Sequence, residues 1–182
     1  MQAKARFALR RAGVLVPGFA SLPELILVRR LTVIRCSDPN SAEFVEQVRQ
    51  LGVALIVVAA FARILKKTLI GVPRLGCINV HSSLLPRYRG PEPFYWVLVN
   101  RETRTGVTVH YVDEGIDSGD IILQRDLEIL PNDTVTTLVD RCAGLAGELL
   151  CRAIPLLLTG KAPRIPQDPK LASYYSFPPR GA

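Results

Sequence analysis

A chain of 182 residues with 48% hydrophobic and 21% charged residues is the size of one folded unit, large enough to bury most of its apolar surface without disulfide staples. No apolar run reaches the roughly 20 residues that a bilayer-crossing helix needs, which argues against a membrane protein of the helical kind. The net charge of +7 raises the question of a polyanion partner, but much of the excess sits in Lys4, Arg6, Arg10, Arg11, Arg29 and Arg30, so an ordinary basic surface or small phosphorylated ligands explain it better than tRNA.

Residues Met1 to Arg11 are basic and free of acids, a pattern shared by organelle transit peptides and amphipathic helices; the short, Ser-poor stretch fits the helix better. Ala3 to Ala12 is accordingly predicted as a helix closed by Gly13. From Leu25 to Cys36 the β-branched content (Ile26, Val28, Val33, Ile34) predicts one or two short strands, followed by the loop Ser37-Asp38-Pro39-Asn40. Ser41 reads as the cap of a helix carrying Phe44, Val45, Val48 and Leu51 on one face and ended by Gly52. The run from Val53 to Phe61 is apolar almost throughout, as in a strand buried on both faces.

Farther on, Ile64 to Ile70 predicts a brief helical turn and Cys77 to Val80 a short strand, with a helix over Phe94 to Asn100 after the Pro/Arg/Gly loop. Gly106 to Val112 and Ile121 to Ile129 read as strands whose linker is too short for a crossover helix, so they are expected to pair antiparallel. Thr134 to Leu158 predicts a long helix capped by Thr134 and bent or ended near Pro155. The Pro- and Tyr-rich residues from Pro163 onward are expected to lie on the surface or to frame a pocket. Cys36, Cys77, Cys142 and Cys151 form no Cys-x-x-Cys pair and read as free thiols of a reducing compartment, cytoplasmic in preference to an organelle matrix.

The chemistry gathers between Asn79 and Gln124. Asn79 and His81 are two apart in an extended segment and project from one side of the backbone, at the carboxyl end of a strand, where open α/β sheets bind ligands. Asp117 follows in the turn after the next strand. An amide that donates to an oxyanion, an imidazole that carries a proton and a carboxylate that orients it would suit acyl transfer. Spacing alone fits a hydrogen-bonded structural pair better than a catalytic one, and His110, mid-strand, reads as structural. Ser82 and Ser83 lie beside His81 without the Gly-x-Ser-x-Gly elbow of a serine nucleophile. Arg87 and Arg89 offer two guanidiniums to an anionic substrate or belong to a solvated loop. Two histidines and scattered cysteines give no metal-ligand spacing, so no metal is expected.

Three strings decide the matter: Asn79-Val80-His81-Ser82-Ser83-Leu84-Leu85-Pro86-Arg87-Tyr88-Arg89-Gly90, Thr105-Gly106-Val107-Thr108-Val109, and Asp113-Glu114-Gly115-Ile116-Asp117-Ser118-Gly119-Asp120-Ile121. In this order and spacing they resemble the core of the 10-formyltetrahydrofolate-dependent formyltransferases, over about Leu31 to Lys161. The resemblance implies a Rossmann-like three-layer α/β fold with a mixed, mostly parallel sheet, here expected to lack its first strand. It implies a catalytic unit over residues 1–165, short at its N-terminus, and a surface tail over 166–182.

The same resemblance makes Asn79, His81 and Asp117 catalytic, with protonated His81 and Asn79 stabilising an oxyanion while Asp117 holds His81 or a water. Phe61-Ala62-Arg63-Ile64-Leu65 resembles the stretch lining the pterin pocket, so Arg63, Ile64 and Leu65 are implied folate contacts, partly through main-chain groups. Asp113 and Ile116 belong to the opposite wall. Ser82, Arg87 and Arg89 are candidate acceptor contacts. The implied reaction passes a formyl group from 10-formyltetrahydrofolate to a primary amine, without metal; a hydrolase of the same folate and a non-catalytic folate-binding module are the alternatives. The acceptor stays open between methionyl-tRNA, a sugar-nucleotide amine and a smaller metabolite. The basic insertion and C-terminal barrel of the family's tRNA enzymes are not read here, which leaves tRNA possible but not favoured. No membrane partner is expected, and nothing in the sequence sets the oligomeric state.

Overall fold

The structure, a computed structural model, describes residues 22–179. The helix expected over Ala3 to Ala12 lies outside the described residues. Helix α1 spans Leu22–Arg29, and residues 31–36 run on without joining a ladder. The strands expected between Leu25 and Cys36 are therefore not formed. Glu24 in the first turn and Arg29 in the last both complement the helix dipole, a helix signal that outweighs the β-branched residues Ile26 and Val28.

Helix α2, Ala42–Gln50, is capped by Ser41, whose side chain accepts from the Phe44 N–H. It turns Val45 and Val48 inward. Strand β1 is shorter than expected, Ile56–Ala59, and alternates half-buried and exposed. It stands at one end of the described sheet, so Val57 and Ala59 face outward where a strand covered on both faces was expected. Ala60, at φ +50°, turns the chain out of it. A single helical turn, α3, covers Lys67–Ile70.

The sheet continues through β2, Cys77–His81, β3, Arg104–Tyr111, and β4, Ile121–Glu128, in the order β1-β2-β3-β4. Among the described residues β1 and β2 pair parallel, while β2 with β3 and β3 with β4 pair antiparallel. The sheet is mixed, as expected, but its described part has less parallel pairing than expected, because β3 returns antiparallel beside β2 and β4 beside β3. Helix α4, Pro93–Val99, links β2 to β3. Helix α5, Val135–Leu158, opens with a reciprocal pair of bonds between Thr134 and Thr137. It ends three residues beyond Pro155, with Gly160 at φ +67° closing the turn. A proline so near the C-terminus removes only one N–H from the helix, which runs on to Leu158.

Side-chain alternation places the two cores on opposite sheet faces. On one face Ile78, Val107, Val109 and Ile122 meet Cys142, Leu145, Leu149, Ala153 and Leu157 of α5. On the other, Cys77 packs with Val45 and Val48 of α2 and with Leu65 and Leu69. Each fully buried aliphatic side chain contributes about 1.5–3 kcal/mol. The parity that sends Ile78, Val107 and Val109 toward α5 sends Asn79, His81, Thr108 and His110 to the opposite face.

Candidate active site

Register brings these polar side chains into direct opposition. Asn79 pairs with His110 and His81 with Thr108 across the β2–β3 ladder. Asn79 Nδ2 lies 3.3 Å from His110 Nε2 and donates to Asp117 Oδ1 at 3.2 Å. Asp117 Oδ2 accepts from the Gly90 N–H at 2.9 Å and stands 3.6 Å from His81 Nδ1; Oδ1 stands 3.6 Å from His110 Nε2. One carboxylate thus binds an amide and a main-chain N–H and sits between two imidazoles. The structure brings together Asn79, His81 and Asp117 and adds His110.

Hydrogen-bond partners define both rings. His81 Nε2 is 2.7 Å from the Tyr88 carbonyl, and His110 Nδ1 is 2.8 Å from the Tyr111 carbonyl; a carbonyl only accepts, so both ring nitrogens carry protons. His110 Nε2 is then free to accept from Asn79, and His81 Nδ1 is the ring nitrogen that faces Asp117. Burial pushes the His81 imidazole below its ordinary value, against the opposing pull of Asp117 and the Tyr88 carbonyl. For Asp117 burial pushes the carboxyl up, but the contact with His110, the charge of His81 and the Gly90 N–H more than offset it and bring the value down to about 2. The carboxylate is ready to hold a proton-bearing His81 once a proton arrives.

The loop from Ser82 to Gly90 is built to hold this geometry. Ser83, fully buried, donates to the Arg87 carbonyl at 2.8 Å, and Thr108 Oγ1 donates to the Ser83 carbonyl at 2.6 Å. Gln124 Nε2 bonds to both Thr108 Oγ1 and the Leu85 carbonyl, and the Leu85–Pro86 peptide is cis. Gly90, at φ +96°, passes so close to the Tyr175 carbonyl that a Cβ there would collide. Asp117 adopts φ +50°, a left-handed conformation that a non-glycine residue takes at some cost and that recurs at functional sites.

The other expected residues are placed unevenly. Arg87 pairs with Glu102 and lies over the Tyr88 ring, 5.6 Å from its centroid, away from the cluster. Arg89 donates from Nε and Nη2 to Gln167 Oε1 at 3.1 and 2.7 Å. Ser82 is half-buried beside His81. Leu65 turns its side chain into the α2 core, leaving only its main chain to meet a ligand, whereas Ile64 is 57% exposed. Asn40 grips this segment: its Nδ2 donates to the Ile64 carbonyl at 2.9 Å and its Oδ1 accepts from the Lys66 N–H at 2.7 Å. Asp113 closes its own turn by accepting from the Gly115 N–H and the Ser118 hydroxyl, with Ile116 exposed nearby in sequence.

The formyl transferase family pattern matches residues 26–154, most of the chain, and the protein belongs to that family. Its sequence is 53% identical over 145 residues to a methionyl-tRNA formyltransferase of Syntrophus aciditrophicus, covering 80% of this chain and 46% of the relative. The chain thus spans about half the length of the curated relatives that it matches. Among solved structures, the formyltransferase PseJ of Anoxybacillus kamchatkensis, in complex with UDP-4,6-dideoxy-4-formamido-L-AltNAc and tetrahydrofolate, aligns with a TM-score of 0.67 at 29% identity, over 85% of this chain and 79% of that one. Phosphoribosylglycinamide formyltransferase of Bacillus halodurans aligns with a TM-score of 0.63 at 30% identity, over 81% and 84%. The fold is the Rossmann-like formyltransferase fold.

Proposed function

We propose that this protein transfers a formyl group from 10-formyltetrahydrofolate to a primary amine. The observation that carries the reading is the half-buried Asp117 carboxylate, held by Asn79 and Gly90 beside His81, in a chain of the formyl transferase family. Tetrahydrofolate in the PseJ complex supports the donor. A flat pterin needs main-chain donors and acceptors beside apolar cover; the segment from Arg63 to Leu65, pinned by Asn40, and the Asp113 turn with Ile116 fit that need. Ser82, Arg87 and Arg89 are the acceptor contacts in this reading, Arg87 exchanging Glu102 for an anionic group of the acceptor and Arg89 using the N–H donors that its two bonds to Gln167 leave over.

The donor supplies the formyl carbon: the amine nitrogen bonds to it first, and its bond to folate N10 breaks afterwards, as N10 takes up a proton. His81 Nδ1 receives the proton that the amine loses on attack, and Asp117 holds the resulting imidazolium. Asn79 donates to the oxygen that becomes negatively charged, turning one of its N–H bonds from Asp117 or His110 toward the substrate. His81 then returns the proton to the leaving nitrogen, so the cycle needs no net proton from solvent.

Residues 1–165 carry the catalytic unit in this reading, and 166–182 form a Pro/Tyr-rich surface tail, part of which lies against the site. The enzyme is cytoplasmic, in keeping with its free thiols; among the described residues no helix is long and apolar enough to cross a membrane. The curated relatives support methionyl-tRNA as acceptor, whereas PseJ supports an amino sugar nucleotide. The test is tetrahydrofolate release from 10-formyltetrahydrofolate in the presence of each acceptor and with none. Release that depends on an amine supports transfer; equal release in water alone replaces it with a hydrolase, and folate binding without turnover replaces it with a binding module.

A further inference from the structure

Gln167 lies 50 residues beyond Asp117 in sequence, yet its carboxamide bridges the two halves of the site. Oε1 accepts both bonds from Arg89, on the loop that carries Gly90. Nε2 donates to the carbonyls of Asp117 at 2.9 Å and Gly119 at 2.8 Å. The orientation of this amide is fixed by chemistry, since a guanidinium can only donate and a carbonyl can only accept. Both ends of the group are fully used.

Two features give these bonds a purpose. Asp117 is held at φ +50°, and its own carbonyl is one of the two that Gln167 binds. Gly119 packs so tightly on the Tyr111 carbonyl that it has no room for a Cβ, which fixes the far side of the turn against the end of β3. The segment around Gln167 is itself anchored on both sides. Ile165 exchanges main-chain bonds of 2.8 and 3.0 Å with Ile121, while Ser173 and Tyr175 bond to Pro86, Tyr88 and Arg89. A lever fastened at both ends can transmit position to what it holds at its middle.

We propose that Gln167 is a positioning residue of the site: its carboxamide clamps the Asp117 turn to the Arg89 loop and keeps the carboxylate aimed at Asn79, Gly90 and His81. The assignment builds on the formyl-transfer reading, but its geometric content stands apart from turnover. Two replacements of similar length separate the clamp from a simple Arg89 contact. Gln167→Glu keeps an acceptor for Arg89 and loses both donors to the carbonyls; Gln167→Leu loses everything polar.

The measurement is amide hydrogen exchange of the full chain, with the Gly90 N–H as reporter because it bonds directly to Asp117 Oδ2. Exchange at Gly90 is expected to quicken about tenfold or more in both variants, while the amides inside β3 keep their wild-type rates. The chain has two histidines, so their two ring signals offer a second readout, and both are expected to shift in each variant. Unchanged Gly90 exchange and unchanged ring signals in Gln167→Glu overturn the proposal, as does equal acceleration throughout β3, which makes Gln167 a general fold contact. Absence of formyl transfer to every amine defeats the functional reading and leaves the exchange result as it is. Where transfer is observed, kcat is expected to fall with KM for the donor little changed.

Discussion

Asn79 and His110 face each other across the β2–β3 ladder, and the 3.3 Å between Nδ2 and Nε2 uses the one ring nitrogen that His110 does not commit to the Tyr111 carbonyl. With its other N–H on Asp117, the Asn79 amide is oriented from two sides. Replacing His110 with Phe keeps a ring in the space and removes the acceptor. A loss of about tenfold to a hundredfold in kcat is expected, from a misdirected amide, with the donor KM nearly unchanged. Steady-state kinetics of the variant check it; equal kcat in the two proteins contradicts an orienting part for His110.

Acid should weaken the fold in two separate windows. The unfolded His81 takes up a proton near its ordinary value of 6.5, whereas the buried ring resists it, so stability falls as the pH drops below about 6.5. Asp117 acts lower down. Its folded value near 2, against an ordinary 3.8, contributes stability above 3.8 that is lost as the pH falls toward 2, on the order of 2 kcal/mol. Thermal melts from pH 7.5 to 5 should show a declining Tm in the wild type and a flatter profile in His81→Gln. Identical slopes would mean that burial does not hold His81 neutral.

Gly90 and Gly119 are each expected to reject a methyl group, for different reasons. At Gly90 the positive φ and the Tyr175 carbonyl both oppose a Cβ; at Gly119 the obstacle is the Tyr111 carbonyl alone. Gly119→Ala and Gly90→Ala should each cost about 1–3 kcal/mol in urea unfolding. Gly144 on α5, where a Cβ meets open space, is the control: Gly144→Ala should leave stability unchanged or raise it by about 0.5–1 kcal/mol.

Asn40 controls the segment proposed to meet the folate. Asn40→Ala removes the bonds to Ile64 and Lys66, and is expected to cost about 1 kcal/mol of stability. Calorimetric titration with tetrahydrofolate should show weaker binding in the variant, and unaltered affinity would mean that the segment from Arg63 to Leu65 lies outside the donor site.

Much of this site was legible because strand periodicity is short-range. Asn79 and His81 at spacing two had to share a face, and the short linker after β3 had to bring Asp117 back toward them. His110 carried the same kind of signal, since Thr108 and His110 alternate with the apolar Val107 and Val109, but it shows only once β3 is known to lie against β2 in the observed register. Gln167 left no such trace. Its partners are Arg89, Asp117 and Gly119, brought to it by the path of the chain after α5 and by no local pattern. The strands expected between Leu25 and Cys36 failed for a related reason: β propensity describes a residue that fits a half-buried sheet, and residues 31–36 meet no strand among those described.

The central claim is that Asp117, through His81, handles the proton of the attacking amine. Asp117→Asn keeps the size of the side chain and an acceptor for Gly90 but removes the charge that holds an imidazolium. The direct measurement is the single-turnover rate of formyl transfer from 10-formyltetrahydrofolate to the acceptor that supports release, in wild type and Asp117→Asn. A fall of about a hundredfold to ten-thousandfold at neutral pH is the predicted result; a variant that transfers formyl at the wild-type rate contradicts the account.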